Sequence, residues 1–326
     1  MDVDSKVNVL VTGIGAIIGY GIIKSLRVSG LNVNIVGMDI YRDAVGQYWC
    51  DSFVQAILAS DKNYISFLKN VMDNNDIDIV FFGTEQEIYR CAEAKEELGR
   101  CYDKLVINNL ELLDLAKDKW KTREALIAYG MSEYAIPSEI KGSYAELAAV
   151  FGKTFLLKPR HSYAAKGIHQ VDNQDDFDFY KRKMESDFMA QRLIGDAEHE
   201  YTVGAFCTGD GCCRTMIQLK RKLSQEGATA KAELIIDDAI TDAVNHLCKL
   251  FRPIGPANFQ FRKEGDRCFL LEINPRISSS TSIRTALGYN EAKMCVDYFL
   301  SNKFEIPIIK HGHAVRFIDE VVIINE

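Results

Sequence analysis

The chain is poor in everything that would tie it to a membrane or to nucleic acid. No run approaches the roughly 18 consecutive apolar residues that a membrane-spanning helix needs. The 39 Lys and Arg are outnumbered by 46 Asp and Glu, a formal net charge of −7, which argues against a general nucleic-acid binder. No nucleic-acid motif, internal repeat or low-complexity tract is present. The first residues, Met1-Asp2-Val3-Asp4-Ser5-Lys6, show no charged-then-apolar leader pattern. The nine cysteines form no Cys-x-x-Cys pair, and Cys212 and Cys213 are adjacent in a predicted strand, so a disulfide scaffold is not expected. An odd number of cysteines in apolar contexts reads as reduced thiols, with the cytoplasm as the expected location. What is present is ordinary: 47% hydrophobic and 26% charged residues in a chain of 326, enough for two or three domains.

The N-terminal third alternates strand and helix. Residues 7–12 read as a buried strand, Gly13-Ile14-Gly15 as a tight turn into a helix over 16–28, and 33–38 as a second strand ending at Asp39. The pattern continues with a helix over 63–72, a strand over 77–82, a helix over 85–98 and a strand over 104–107. Continuous apolar strands separated by helices predict a parallel sheet covered on both faces. The glycine spacing is G-x-G-x-x-x-G, short of the stricter dinucleotide fingerprint. The turn either holds an anion at a helix N-terminus or simply lets the chain reverse, and Asp39 either meets a ribose hydroxyl or caps the next segment. Glu85 follows a strand end, where open α/β sheets place ligands. It either contacts substrate or is a helix-N-terminal charge favoured by the dipole, and we favour the second.

Beyond Asn108 the composition changes. One long helix is predicted over 110–129, with Lys119 beside Asp118, then a short helix over 143–151 and a strand over 154–157. That strand delivers Lys158, which either projects into a cleft or snorkels to solvent. The loop 160–167 is small and basic and includes Lys166, as a mobile phosphate cover would be. A strand over 168–171, a helix over 175–184 and a segment over 188–193 follow. From 200 the chain is rich in strands, 200–207, 212–219 and 229–234, before a helix over 238–250 and another over 290–300. The tail 314–325 holds two short β-like runs that dock on the main body. His311 and His313 read as loop residues rather than a metal pair.

The most informative stretch is the pair of segments 258–262 and 269–276. Side chains alternate faces along a strand, and residues 263–267 are good hairpin-turn chemistry. An antiparallel register pairing Gln260 with Glu272 also pairs Phe259 with Ile273 and Phe261 with Leu271. This collects the apolar residues on one face and Gln260, Glu272 and Asn274 on the other, with Arg276 two residues on. Hard oxygen donors suit magnesium shared with phosphates, and a planar cation beside them suits a phosphoryl group gaining charge. Pro275 interrupts the strand, and a serine-rich loop follows.

Taken in order, Lys119, Lys158-Pro159, Gln191-Arg192-Leu193-Ile194-Gly195 with Glu200-Tyr201, Gln260, and Glu272-x-Asn274-Pro275-Arg276 resemble the ATP-grasp superfamily. The similarity is greatest to the carbamoyl phosphate synthase large-subunit type and related carboxylate–amine ligases, and it covers about residues 110–300. The resemblance implies an α/β chain: an ATP-grasp fold of two α+β subdomains clasping ATP, preceded by a Rossmann-like parallel-sheet domain. The implied boundaries are 1–110, 111–302 (subdomains 111–190 and 191–302) and a C-terminal extension 303–326.

It further implies that Lys119 and Lys158 contact ATP phosphates, with Lys166 as an added contact. Gln191, Arg192 and Leu193 would form the adenine hinge through backbone groups, and Glu200 would hold ribose. Gln260, Glu272 and Asn274 would hold Mg2+, with Mn2+ as the alternative ion, and Arg276 would be the catalytic cation. The implied reaction is ATP-dependent activation of a small-molecule carboxylate as an acyl phosphate, followed by attack of an amine. The sequence does not reveal the oligomeric state; dimers are common among soluble enzymes, which leaves a homodimer open. One departure stands out: the loop Ser162-Tyr163-Ala164-Ala165-Lys166-Gly167 replaces a glycine-rich phosphate loop, and alanine does not freely take φ > 0. It supports a second reading, an ATP-binding regulatory or scaffold protein. A nicotinamide oxidoreductase resting on Gly13, Gly15 and Asp39 is a third, weakened by the lack of a hydride-site constellation.

Overall fold

The computed structural model describes residues 6–161, 167–225 and 227–324. Its first sheet is built from β1 (Val7–Thr12), α1 (Ile17–Arg27), β2 (Val33–Asp39), β3 (Ser52–Gln55), α2 (Tyr64–Asn74) and β4 (Ile79–Phe81), followed by α3 (Glu85–Glu93) and α4 (Lys95–Leu98). The strand order is β3-β2-β1-β4, and each pair is parallel. β1 is buried along almost its whole length, which is why it reads as an unbroken apolar run. Residues 104–107, expected to be the fourth strand, make only an isolated bridge from Leu105 to Val80, and β3 takes an edge position that the sequence reading did not assign.

The expected long helix over 110–129 is two helices, α5 (Leu110–Ala116) and α6 (Lys119–Ala128). Asp118 breaks the run. Its carboxylate caps α6 by accepting from Trp120 N at 2.9 Å, a use of a short acid that competes with helix continuation. A second sheet follows from β5 (Ser138–Glu139), α7 (Tyr144–Phe151), β6 (Phe155–Pro159), β7 (His169–Val171), α8 (Gln174–Met184) and β8 (Phe188–Arg192), in the order β5-β8-β6-β7. α7 opens with a capping box between Ser143 and Glu146, the S-x-x-E pattern visible in the sequence.

The third sheet holds β9 (Glu200–Thr208), β10 (Cys213–Leu223), β11 (Thr229–Ile235), α9 (Asp238–Phe251), β12 (Ile254–Glu264), β13 (Arg267–Asn274), α10 (Thr281–Ala286), α11 (Glu291–Ser301) and β14 (His313–Val315). Its order is β13-β12-β9-β10-β11-β14. α9 buries Ile240, Ala243, Val244, Leu247 and Cys248, a 3, 4, 7, 8 spacing that forms one apolar stripe and lays it on the sheet. The tail does dock, but through one strand: β14 pairs with β11. His311 and His313 are exposed. The apolar cluster around β1 and α1 also contains Phe206, Ile217, Tyr289 and Cys295, so the first sheet and the third share a core.

Candidate active site

The hairpin β12–β13 carries the site. The observed register pairs Phe259 with Ile273 and Gln260 with Glu272, then slips by one, so that Phe261 faces Leu270 and not Leu271. A β-bulge of this kind puts two residues opposite one and re-aims a side chain. Leu270 therefore joins Phe259, Phe261 and Ile273 in the core under α9. Leu271 moves to the opposite face, where it packs with Ile136, Ile194 and Phe269 beside Glu272. The expectation that every apolar residue lies on the core face is corrected at Leu271.

On that opposite face the polar side chains join hand to hand. Gln260 Nε2 donates to Glu272 Oε1 at 2.6 Å, and Asn274 Nδ2 donates to the same oxygen at 3.0 Å. Arg276 Nη2 donates to Asn274 Oδ1 at 2.9 Å, and its Nε donates to Glu85 Oε1 at 2.9 Å. In the other direction Arg221 Nη2 donates to Gln260 Oε1 at 2.6 Å and to Glu200 Oε1 at 2.8 Å. Arg262 Nη2 reaches Glu200 Oε2 at 3.2 Å. Gln260, Glu272 and Asn274 are thus brought into one cluster, bounded by Arg221 on one side and Arg276 on the other.

Sequence reasoning missed Arg221 and Arg262, and it left Glu85 as a helix-terminal charge. The register explains the two arginines. Glu200 stands opposite Arg221 on β10 and opposite Arg262 on β12, and opposed charges on neighbouring strands attract. Cross-strand partners are not adjacent in sequence, so no local pattern announces them. Glu200 is buried with both oxygens engaged, and a carboxylate with about four acceptor sites still has capacity for a hydroxyl donor.

Two lysines face this row. Lys158 sits in β6 opposite Met189 and is 4% exposed. Burial pulls its ammonium down to about 7, with the charge on Lys119 acting in the same sense and Glu272 opposing. Lys119 opens α6, and its Nζ is also pulled down, chiefly by burial, against the field of Glu272, Glu85, Asp187 and Asp118. The α6 N-terminus is anchored by Arg160, which forks onto the Asp118 carboxylate while its carbonyl accepts from Lys119 N at 3.2 Å. Gln191, Lys119, Leu271 and Glu272 line one pocket together with Ile136 and Thr122. Gln191 Nε2 is tied to Ser138 Oγ at 2.9 Å, and Arg192 to Glu264. Leu193 follows the end of β8, where Gly195 at φ +52 passes so close to Lys263 O that an added Cβ would lie 2.6 Å away. Lys166 lies outside the described residues.

The glycine turn of the first sheet is filled by the chain itself. A Cβ on Gly19 would lie 2.2 Å from Gly13 O, and Gly15 N donates to Asp39 Oδ2 at 2.7 Å. Tyr41 N takes the other Asp39 oxygen at 3.0 Å. These glycines serve close packing, and Asp39 holds the turn shut.

Comparison with known proteins adds an independent line. Residues 186–321 match the family model described as ATP-grasp in the biosynthetic pathway with Ter operon. N5-carboxyaminoimidazole synthetase from Staphylococcus aureus, solved with ADP, superimposes with a TM-score of 0.71 over 95% of this chain and 81% of that one, at 14% identity. Biotin carboxylase from Campylobacter jejuni gives 0.74 over 94% and 74%, at 16% identity. The chain has the ATP-grasp fold. The chain is also 23% identical over 255 residues to the carbamoyl phosphate synthase large chain of Pseudothermotoga lettingae, a match covering 74% of this chain and 23% of the relative. It therefore spans less than a quarter of that relative's length. Among the described residues no helix is long and apolar enough to cross a membrane.

Proposed function

We propose that this chain is an ATP- and Mg2+-dependent ligase. It would phosphorylate a substrate carboxylate to an acyl phosphate, which an amine or similar nucleophile attacks to give an amide, ADP and phosphate. The observation that carries the reading is the unbroken polar row from Glu200 through Arg221, Gln260, Glu272 and Asn274 to Arg276, faced by Lys119 and Lys158. A row of that length, with cations on both sides of an acid–amide cluster, matches a triphosphate and a divalent ion better than a lone anion. Similar structures were solved with ADP and with an ATP analogue, and an L-amino acid ligase from Bacillus licheniformis shares the fold at a TM-score of 0.67.

The donor set fits a hard divalent ion. Glu272 supplies the charge, and Gln260 and Asn274 supply amide oxygens once their NH2 groups turn away from Glu272 Oε1. Bound there, the ion would neutralise phosphate charge. The protein's own part is positioning and electrostatics, because phosphoryl transfer asks little covalent chemistry of its enzyme. Lys119 and Lys158 would hold the phosphates, the backbone of residues 191–193 the base edge, and Leu271 would offer the base an apolar surface. Arg276, held by Glu85 and Asn274, would meet the charge that develops on the transferred group. ADP release across a panel of amino acids, peptides and sugar acids, each with an amine donor, tests the reading. Turnover with none of them, alongside measurable ATP binding, would favour the second reading: nucleotide binding without catalysis, as the loop at 162–167 suggests. Single-turnover phosphate release separates the two.

A further inference from the structure

At the other end of β9 three cysteines converge from three elements. Cys207 is the penultimate residue of β9, Cys213 opens β10 directly opposite it, and Cys248 lies in the last turn of α9. Their sulfurs all lie within 4.8 Å of one another, with Cys207 Sγ 3.4 Å from Cys248 Sγ. A register shift between Cys213 and Thr215 marks a bulge at Arg214, and bulges re-aim side chains. Here Cys213 turns inward and Cys212 stays exposed.

We propose that Cys207, Cys213 and Cys248 bind one thiophilic d10 cation, Zn2+ or Cu+, as a tris-thiolate site. Metal–sulfur bonds of about 2.3 Å place tetrahedral ligands about 3.8 Å apart, within the spread seen here, whereas a disulfide needs about 2.05 Å. Soft thiolates select these ions over the Mg2+ expected at the oxygen cluster. Cys207 and Cys248 are buried, while Cys213 is half-buried, which leaves the Cys213 side as the route of entry. The C-terminal end of a helix carries partial negative charge. It disfavours bare thiolates beside Cys248 and favours a cation. The cluster is separate from the polar row. Cys207 stands seven residues from Glu200 along β9, about 23 Å for an extended strand.

Binding replaces each bound thiol proton by the metal, so protons are released and affinity rises with pH. The test uses the full chain, reduced and kept under inert gas. With Co2+ as probe, one equivalent gives an intense sulfur-to-cobalt charge-transfer band that Zn2+ abolishes. Cu+ competition under a copper chelator tells which ion is held more tightly. Cys248→Ser and Cys207→Ser weaken binding on the order of 100-fold, and Cys212→Ser leaves it unchanged. Alkylation of the wild-type chain, which needs no variant, shows Cys213 protected by Zn2+ while Cys212 still reacts. Absence of the band, or an equal band in the Cys207→Ser/Cys213→Ser/Cys248→Ser triple variant, overturns the proposal and leaves three small apolar side chains packed together.

Discussion

Arg276 Nε lies 2.9 Å from Glu85 Oε1, across 191 positions of sequence. Glu85 opens α3 beside the first sheet, and Arg276 leaves the hairpin of the third. The cation proposed to act on the phosphoryl group is therefore oriented by an acid from a helix beside the first sheet. We predict that Glu85→Gln lowers kcat about 10- to 100-fold by loosening that orientation, with the KM for ATP little changed. In an Arg276→Lys background the same change costs much less, because the two residues act as a unit. Equal losses in both backgrounds would show that Glu85 acts elsewhere.

Glu272 accepts from both Gln260 and Asn274 and is the single acid of the cluster. Glu272→Ala is expected to remove Mg2+-dependent ADP release by on the order of 10²–10³-fold or more. The fold should persist, since Glu272 is half-buried on the open face of the hairpin. Near-normal turnover in this variant would count heavily against the ligase reading, and a melting curve checks that the loss is not unfolding.

The hairpin shows how far sequence reached. Alternation alone paired Gln260 with Glu272, because the two oxygen-bearing residues fall on one face only in that register. It failed one step later at Leu271, since a bulge costs one residue and leaves no compositional mark when both candidates are leucine. Asp118 failed for another reason: its side chain caps α6 by accepting from Trp120 N, and the helix-forming residues on both sides hid that break. Arg221 and Arg262 escaped notice because their partner Glu200 is near them only across the sheet. The alternating strands and helices of the first sheet were legible because each carries its own period. The cysteine cluster was not, since residues 207, 213 and 248 have no spacing that a sequence could advertise.

Arg284 is buried with Glu291, at 2.9 Å and with neither side chain exposed. It also donates to Thr202 Oγ1 at 3.1 Å and to Asn258 Oδ1, beneath the strands that carry the site. Breaking a buried pair leaves an uncompensated charge, so Arg284→Met is expected to cost about 3–5 kcal/mol. Gly204→Ala would place a Cβ 2.6 Å from Arg284 Nη1. Because that guanidinium is pinned by three partners it cannot yield, and we expect a cost of about 1–3 kcal/mol. Urea unfolding of both single variants and the double checks this. In the Arg284→Met background Gly204→Ala should lose most of its cost, and a fully additive double variant would separate the two sites.

Lys158 supplies a pH signature. Its folded pKa of about 7 is below the value of about 10.4 for a free lysine. Between these values the unfolded chain binds a proton that the folded chain lacks, so stability rises with pH across that window, and Lys158→Met flattens the slope. Nucleotide binding works against burial. Phosphate oxygens beside Nζ favour the ammonium and lift its pKa, so binding at pH 8, where about nine-tenths of Lys158 is neutral, takes up close to one proton. Below about pH 6 the lysine is already charged, and the uptake vanishes. Calorimetric titration with ATP in two buffers of different ionisation enthalpy measures the proton number directly. Lys158→Met should subtract the Lys158 contribution, and an unchanged uptake in that variant would mean that Lys158 does not face the phosphates.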